Sequence, residues 1–453
     1  MFLQNKLYVI VGFIFIFLFL FLGCNYANDD GINFSYESAD LSEINDYTAA
    51  DFIFAFFNSS FLSDNVDEDA TLGITLTSVI GSESKDLRRL LKFKTEKVTG
   101  YEVEYSTRDP YSGREITASG LLLVPSSSRP LPLLVYHRAT LLTKAAAPSL
   151  IPEEMIVIDP IIDERATMIM LALQGYIVLA PDYIGYGSSD DIRHPYLYRK
   201  SVTQTSLDMF FSVTEALKEY DISFTKDVYV MGYSQGGHGA IAFAQGFQDN
   251  NTRDFAIRAL AAGGGPYDIL ETIRELFDQN FITKITTLLF LQAYTYIYNW
   301  DLDRIIRKNS YKDVIESAFE YEDIEEPAKE IPNKVDDLFR SQFIEDIQKG
   351  RSDSIQKNLE ENSVYNWAPS VPVLLFHARN DRIVPYINMK IAYNSFNRNG
   401  SASVTRKDCS FKRLDNLLKA AKKLNIDAKK PTPNHVNCIF IFMLEASDFI
   451  KDF

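Results

Sequence analysis

Beyond residue 130, the chain alternates between short apolar runs and longer amphipathic stretches. The apolar runs are four to six residues long and stand at 131–136, 176–180, 228–231, 257–262 and 371–376. Runs of this kind are typical of strands in a parallel sheet that is covered on both faces. Helical periodicity separates them at 166–174, 201–219, 237–248 and 387–397. The alternation predicts an α/β fold with a mostly parallel sheet flanked by helices.

The pattern before these runs predicts an antiparallel hairpin. Residues 98–107 alternate between apolar and polar positions, and a second strand pattern covers 116–124. The sequence DPYSG at 109–113 separates them, and Pro and Gly at such spacing are typical of a turn. We therefore expect this hairpin at the start of the sheet.

About a hundred residues between 265 and 369 carry helical periodicity and no strand pattern. Residues 276–298 are rich in aromatic and aliphatic side chains, and 313–346 are charged and amphipathic. An insertion of this kind between two strands predicts a helical cap. Aromatic residues at helical spacing are more often core than ligand contacts, so only part of the cap is expected to face a site.

Composition narrows the functional classes. The chain has 453 residues, of which 46% are hydrophobic and 24% charged, as in a globular protein. One long apolar run cannot build a membrane bundle. The net charge of −15 disfavours binding to nucleic acid, whose phosphates would repel it.

Residues 1–23 predict an export signal. Lys6 precedes an almost wholly apolar run at 7–22, which is shorter than the roughly 20 residues of a spanning helix. Phe21-Leu22-Gly23-Cys24 resembles a bacterial lipobox, which implies a lipid on Cys24 and anchoring in the bacterial cell envelope. An ordinary secretory signal, giving a secreted protein, and an uncleaved anchor remain alternatives. The polar, acidic residues 25–46 then read as a tether.

Residues 232–236 read G-Y-S-Q-G and lie between a predicted strand and a predicted helix. In that setting the pattern predicts a tight turn that projects Ser234 from the sheet edge as a nucleophile. The N-terminus of the following helix would stabilise negative charge that develops beside the serine.

A nucleophilic serine requires a base, and the base requires a carboxylate that orients it. Asp381 follows the strand at 371–376, and His435 is the only histidine after Asp381. We therefore predict Asp381 as the acid and His435 as the base. His377 and His238 are interpreted as structural.

These features together resemble the α/β-hydrolase superfamily over residues 98–453. Residues 175–188 contain D-Y-I-G-Y-G-S, similar to the superfamily's D-x-x-G-x-G-x-S turn. His194-Pro195-Tyr196, with S-L-D at 206–208, is similar to the branch of secretory lipases and prolyl-oligopeptidase-like esterases. The resemblance implies ester hydrolysis without a metal or organic cofactor. It also implies that His194 packs within its loop.

The same resemblance places the oxyanion hole. The N–H of Gln235 would be one donor, and the segment after the strand at 131–136 would supply the other. Relatives have His-Gly-Thr there, whereas this chain departs from them at Arg138 and Ala139. The register most similar to the family makes Thr140 the second donor.

The chain has three cysteines: Cys24, Cys409 and Cys438. If Cys24 carries a lipid, the other two remain as a pair in a compartment that permits disulfides. In the resembled fold, the strand at 403–407 and the final helix are neighbours, joined here by an inserted basic segment at 411–430. We predict a Cys409–Cys438 disulfide that holds His435 near Ser234. Two separate thiols are the alternative.

The predicted organisation is a signal peptide at 1–23 and an acidic tether with an N-terminal extension at 24–93. A hydrolase core follows at 94–265 and 366–453, with the cap at 266–365. The predicted function is that of a serine esterase or lipase acting on a small-molecule or lipid ester. The alternatives are a prolyl-oligopeptidase-like peptidase and a catalytically silent surface-displayed binding protein.

Overall fold

The computed structural model describes residues 24–27, 33–49, 93–151, 164–250, 254–351, 353–414 and 433–453. The predicted leader at 1–23 and most of the inserted basic segment lie outside these residues. The strands, in chain order, are β1 Cys24–Ala27, β2 Asn33–Tyr36, β3 Asp40–Thr48, β4 Lys97–Arg108, β5 Glu115–Pro125, β6 Leu131–His137, β7 Ile177–Pro181, β8 Phe224–Tyr233, β9 Ala256–Gly263, β10 Val373–His377 and β11 Val404–Asp408.

Nine of these strands form one mixed sheet in the order β11-β10-β9-β8-β6-β7-β5-β4-β3. The six strands from β11 to β7 are parallel. β5, β4 and β3 continue the sheet as antiparallel neighbours, so the predicted hairpin is confirmed. Every residue of β7 and β10 is buried, as expected for strands that are apolar apart from His377 at the end of β10. β1 and β2 form a separate antiparallel pair.

Five helices cover the two faces of the sheet. Their bounds are α1 Glu164–Leu173, α2 Arg199–Glu219, α3 Gln235–Asp249, α12 Ile387–Arg398 and α13 Cys438–Ile450. α1 and α13 pack in one apolar core with one face of the sheet, and α2, α3 and α12 pack on the other face. This arrangement confirms the predicted α/β architecture.

Eight helices lie between β9 and β10 along the described part of that connection. They are α4 Ile269–Asp278, α5 Lys284–Tyr298, α6 Leu302–Ile305, α7 Asn309–Ser317, α8 Glu325–Ala328, α9 Val335–Leu338, α10 Ser341–Lys349 and α11 Asp353–Asn362. They pack around an apolar core of their own, which includes Leu288 and Ile347. A short antiparallel contact joins this helical segment to the loop after β6, where Thr143 pairs with Asp323.

The N-terminal part of the chain differs from the expectation at β3. Residues 25–46 were expected to form a tether, but Asp40–Thr48 is the edge strand of the main sheet. A bulge between Glu43 and Asn45 shifts the register, so the apolar residues do not alternate as in a regular strand. Tyr47, near the end of β3, is fully buried in the apolar core that also contains α1 and α13. The polar composition of this segment therefore reflects an edge strand with one solvated side.

Within the described residues, no helix combines the length and the apolar character needed to cross a membrane.

The burial of Tyr47 gives a test of the edge strand. We expect Tyr47→Ala to lower the free energy of unfolding by about 3–5 kcal/mol, because a large buried aromatic side chain is lost. Tyr220→Ala is the control: Tyr220 is 56% exposed, so its loss should change stability by about 0.5 kcal/mol or less. Denaturant unfolding measures both. Equal, small effects would show that β3 does not pack on the domain.

Candidate functional site

The site is built around a tight turn between β8 and α3. Ser234 occupies this turn with φ 58° and ψ −122°, a conformation that non-glycine residues rarely adopt. The turn lies against the end of β6: a Cβ on Gly236 would be 1.9 Å from the carbonyl oxygen of His137. Glycine is therefore required at 236 because two backbones touch there. This is the local geometry that the G-x-S-x-G pattern predicts.

The structure brings the three predicted catalytic side chains together. Nε2 of His435 is 2.7 Å from Oγ of Ser234, and Nδ1 of His435 is 2.6 Å from Oδ2 of Asp381. In the tautomer that satisfies both contacts, Nδ1 donates to the carboxylate and Nε2 accepts from the serine hydroxyl. Ser234, Asp381 and His435 are only 6–7% exposed, so water screens this chain of hydrogen bonds weakly.

Asp381 is held as a carboxylate. Burial alone would raise its pKa, but His435 and His377 beside it outweigh this effect and hold the pKa of Asp381 well below its usual value. The backbone N–H groups of Ile383 and Val384 donate to Oδ1 at 2.9 and 2.8 Å. Oδ2 is thus left to face His435. The group is suited to orient an imidazole and to stabilise its positive charge.

His435 is fixed through its main chain as well as its ring. The hydroxyl of Tyr233 donates to the carbonyl oxygen of His435 at 2.8 Å, and the two ring centroids are 5.3 Å apart. Tyr233 is fully buried and directly precedes Ser234. The residue before the serine therefore also holds the loop of the histidine.

Cys409 and Cys438 form a disulfide, as predicted from their number and placement. Cys438 is the first residue of α13 and stands three positions after His435. Cys409 directly follows β11, and its N–H donates to the carbonyl oxygen of His377 at 2.8 Å. The bond therefore joins the segment of His435 to the strand ends beside Asp381.

The two expected oxyanion donors stand in different segments, Gln235 at the start of α3 and Thr140 in the loop after β6. Gln235 is the first residue of α3, so its N–H has no acceptor within the helix. The N–H of Ala139 donates to Glu164 at 2.6 Å. Among the described residues, the N–H of Thr140 has no acceptor. Thr140, not Ala139, is thus available as a donor.

Arg138, which the sequence analysis marked as a departure from the resembled family, has a fully buried side chain. Its Nη2 donates to the carbonyl oxygen of Asp182 at 2.6 Å. The guanidinium also lies 4.6 and 4.3 Å from the ring centroids of Tyr183 and Tyr186. The arginine therefore points into the turn after β7, where it ties the end of β6 to that turn.

The remaining histidines that the sequence analysis weighed are all buried and engaged. His377 contacts the carbonyl oxygen of Val384 at 2.9 Å and lies 3.3 Å from Asp381. His238 contacts the carbonyl oxygen of Asn362 at 2.7 Å, and burial lowers the pKa of His238 to about 4. His377 thus belongs to the surroundings of the acid, whereas His238 connects α3 to the end of the inserted helices.

Sequence reasoning missed two residues of the site. Glu164 accepts from Ala139 and from the hydroxyl of Tyr136, which is 2.7 Å away. Tyr233 occupies a variable position of the G-x-S-x-G pattern. Neither carries a sequence signal, since their roles depend on contacts with distant segments. Among the described residues, no cluster of His, Cys, Asp or Glu side chains could hold a metal ion.

Comparison with known sequences identifies relatives over the central part of the chain. The sequence model of the secretory lipase family matches residues 161–420. A secreted triacylglycerol lipase of Malassezia globosa is 24% identical over 260 residues, which cover 54% of this chain and 52% of that protein. Lipase 4 of Candida albicans is 26% identical over 240 residues, 51% and 50% of the two chains. The matches span about half the length of these curated relatives.

Solved structures extend the similarity to most of the chain. A protein from Legionella pneumophila has a TM-score of 0.70 at 20% identity, covering 92% of this chain and 98% of that one. The rice cell wall degrading esterase LipA from Xanthomonas oryzae has a TM-score of 0.66 at 22% identity, with the same coverage. At such identities the likeness establishes the fold, which is the predicted α/β-hydrolase fold. Because the family match covers more than half of its length, the chain belongs to the secretory lipase family.

Proposed function

We propose that this protein is a serine hydrolase that cleaves carboxylic esters, in the manner of an esterase or lipase. The observation that carries the proposal is the buried hydrogen-bond chain from Ser234 through His435 to Asp381. Its members have the order and the geometry of a nucleophile, a base and an orienting acid. The strained turn places Ser234 at the N-terminus of α3, where the helix can stabilise developing negative charge.

In the proposed reaction, His435 takes the proton of Ser234 as Oγ attacks the ester carbonyl. The N–H groups of Gln235 and Thr140 donate to the oxyanion of the tetrahedral intermediate. His435 then gives its proton to the departing alcohol, and an acyl-enzyme remains. Water, deprotonated by His435, hydrolyses the acyl-enzyme in the same way. Asp381 stays ionised throughout and stabilises the imidazolium.

The loop after Thr140 and the inserted helices border a small cavity with partly apolar walls, beside Lys144 and Glu322. The volume of this cavity is about 40 Å³. Leu142, Leu289 and Ile324 are among its lining residues. We propose that residues 266–365 form a cap over the core at 94–265 and 366–453, and that the cap contributes to this cavity. The Malassezia and Candida relatives, named as lipases, support an ester substrate.

Replacing the proposed nucleophile tests the assignment directly. We expect Ser234→Ala to lower ester hydrolysis at least about a thousandfold, because no covalent intermediate can form. The melting temperature should hardly change, since only one small hydroxyl is lost. Ser212→Ala, at a buried serine of α2, is the matched control and should retain activity. The rates at which wild-type protein hydrolyses p-nitrophenyl esters, triglycerides and prolyl amides identify its substrate class.

A fluorophosphonate probe should label the wild-type protein and leave Ser234→Ala unlabelled. Activity of Ser234→Ala within tenfold of wild type would contradict the nucleophile assignment. Absence of label on folded wild-type protein would favour a catalytically silent binding protein. Cleavage of prolyl amides in preference to esters would favour a peptidase.

We propose that the Cys409–Cys438 disulfide holds His435 in place for catalysis. It closes a span of 29 positions, for which the chain-entropy model gives a stabilisation of about 3–4 kcal/mol. We expect the Cys409→Ser/Cys438→Ser double variant to lose about this stability. At a temperature where it stays folded, its kcat should fall while KM changes little, because the base is less well positioned.

Denaturant unfolding and steady-state kinetics provide the two measurements. Mass spectrometry of an unreduced digest should show the linked peptides. Free thiols at both positions in protein purified from the cell envelope would contradict the proposal. If kcat of the double variant were unchanged, the disulfide would stabilise the fold but would not position His435 for catalysis.

We propose that the chain is exported. More specifically, we propose that a lipid on Cys24 anchors it to the cell envelope. The Malassezia relative is named as a secreted lipase, which supports export. In a bacterial host, wild-type protein should incorporate labelled fatty acid and sediment with membranes, whereas Cys24→Ala should lose both properties. Asn25→Ala, one residue further on, is the control and should keep them. Membrane retention of Cys24→Ala would favour an uncleaved anchor, and soluble wild-type protein would favour secretion.

A further inference from the structure

The segment His194–Tyr196 contacts the residues of both proposed oxyanion donors. The side-chain amide Nε2 of Gln235 donates to Nε2 of His194 at 2.7 Å. On the other side, the hydroxyl of Tyr196 shares a hydrogen bond of 2.9 Å with Oγ1 of Thr140. One short segment therefore holds two residues that are 95 positions apart in the sequence and that face the same carbonyl oxygen in the proposed reaction.

The orientation of His194 is fixed on every side. Nδ1 donates to the carbonyl oxygen of Ile184 at 2.7 Å, which leaves Nε2 as the acceptor for Gln235. The ring lies nearly parallel to that of Tyr183, at an interplanar angle of 6°, and meets the ring of Tyr186 edge-on. Burial, helped by the charge of Arg138, lowers the pKa of His194 to about 3. The ring is therefore neutral near pH 7 and keeps its acceptor.

The turn that supports His194 is itself tied to the end of β6. Gly185 has φ 94°, and a Cβ there would be 2.7 Å from the backbone of His194, so the two segments are in direct contact. The guanidinium of Arg138, the residue after β6, lies on the rings of Tyr183 and Tyr186 in this turn. Gln235, His194, the turn and the end of β6 thus form one continuous packed unit.

We propose that His194 and Tyr196 are positioning residues for the oxyanion hole, acting on Gln235 and Thr140 respectively. The inference rests on the proposed ester hydrolysis. Oxyanion donors are effective because they are already in place when negative charge develops, and displacement by about 1 Å can cost about a hundredfold in rate. His194 fixes the side chain of Gln235 and with it the first turn of α3. Tyr196 fixes Thr140 and with it the loop that follows β6.

Two substitutions at His194 separate its hydrogen bonds. His194→Asn places a donor near Nδ1 and keeps the contact to Ile184, but it loses the acceptor for Gln235. His194→Gln places a carbonyl oxygen near Nε2 and keeps that acceptor. We expect kcat to fall about tenfold to a hundredfold in His194→Asn and about threefold or less in His194→Gln, with KM unchanged in both.

The affinity for an inhibitor that forms a tetrahedral adduct distinguishes a positioning role of His194 from a purely structural one, which would leave this affinity unchanged. The Ki of an alkyl boronic acid should rise in His194→Asn by about the same factor as kcat falls, because both depend on the oxyanion donors. The KM for p-nitrophenyl butyrate should stay constant, since the planar ester uses these donors less.

A double-mutant cycle tests whether His194 acts through Gln235. Gln235→Met keeps the main-chain N–H and removes the side-chain donor. If the two residues act as a unit, kcat of His194→Asn/Gln235→Met should match that of either single variant instead of showing the product of both losses. Multiplied losses would show that His194 acts by another route and would overturn that part of the proposal.

The second contact has a matched pair of variants. Tyr196→Phe removes the hydroxyl bonded to Thr140, and we expect kcat to fall about tenfold with KM unchanged. Tyr198→Phe is the control: Tyr198 lies two positions further along the chain, its ring packs on that of Tyr298, and loss of its hydroxyl should leave kcat unchanged. Equal kcat values in both variants would overturn the role of Tyr196.

The outcomes distinguish this inference from the proposed function. If wild-type protein hydrolyses esters and His194→Asn keeps kcat within twofold while its melting temperature falls, His194 is structural and only the inference fails. If folded wild-type protein neither hydrolyses esters nor reacts with a fluorophosphonate, the proposed function fails and the inference fails with it.

Discussion

Ser234 has a backbone conformation that a residue with a side chain rarely adopts, and the surrounding structure must hold it there. Three backbones meet at this turn: the end of β8, the start of α3 and the end of β6. Gly236 and Gly232 permit the approach, since a Cβ on either would lie within 2.3 Å of a carbonyl oxygen. The cost of such a conformation is about 1–3 kcal/mol, which the packed sheet and helix must outweigh. The proposed nucleophile, both proposed oxyanion donors and the reach of His435 all depend on this close approach.

The loops that carry Asp381 and His435, the proposed acid and base, are restrained from several directions because they are not part of regular structure. Asp381 follows β10 and is held by two backbone N–H groups and by His377. His435 precedes α13 and is held by the hydroxyl of Tyr233 and by the nearby Cys409–Cys438 disulfide. Burial makes these restraints effective, since an unpaired polar group in this region would be costly. It also explains why hydrogen bonds between side chains, and not exposed ion pairs, organise the site.

The segments that carry or support the proposed oxyanion donors contact the inserted helices. The guanidinium of Arg193, next to His194, lies 3.7 Å from the ring centroids of both Tyr296 and Phe319. Thr143, three residues after Thr140, pairs with Asp323 of the same helical segment. Movement of the inserted helices would therefore strain the two segments that carry or support the proposed donors. The buried side chain of Arg138 is accommodated because its guanidinium lies on the rings of Tyr183 and Tyr186.

The sequence by itself determined the features that arise from local patterns. Apolar runs of strand length predicted the parallel strands, and G-x-S-x-G between a strand and a helix predicted the turn at Ser234. The positions of Asp381 and His435 followed from their place after that serine, and the parity of the cysteines indicated their pairing. The edge strand β3 was not predicted, because its bulge breaks the alternation of apolar and polar residues by which a strand is recognised in a sequence.

Only the tertiary structure decided which residues support the proposed catalytic groups. Glu164 binds the N–H of Ala139, Tyr233 binds the loop of His435, and His194 binds the side chain of Gln235. Each of these contacts joins segments 25 to 202 positions apart. A sequence pattern records spacing along one element, whereas these hydrogen bonds depend on how separate elements pack. The proposed catalytic residues could therefore be named from the sequence, but the residues that position them could not, because those contacts exist only where distant segments meet.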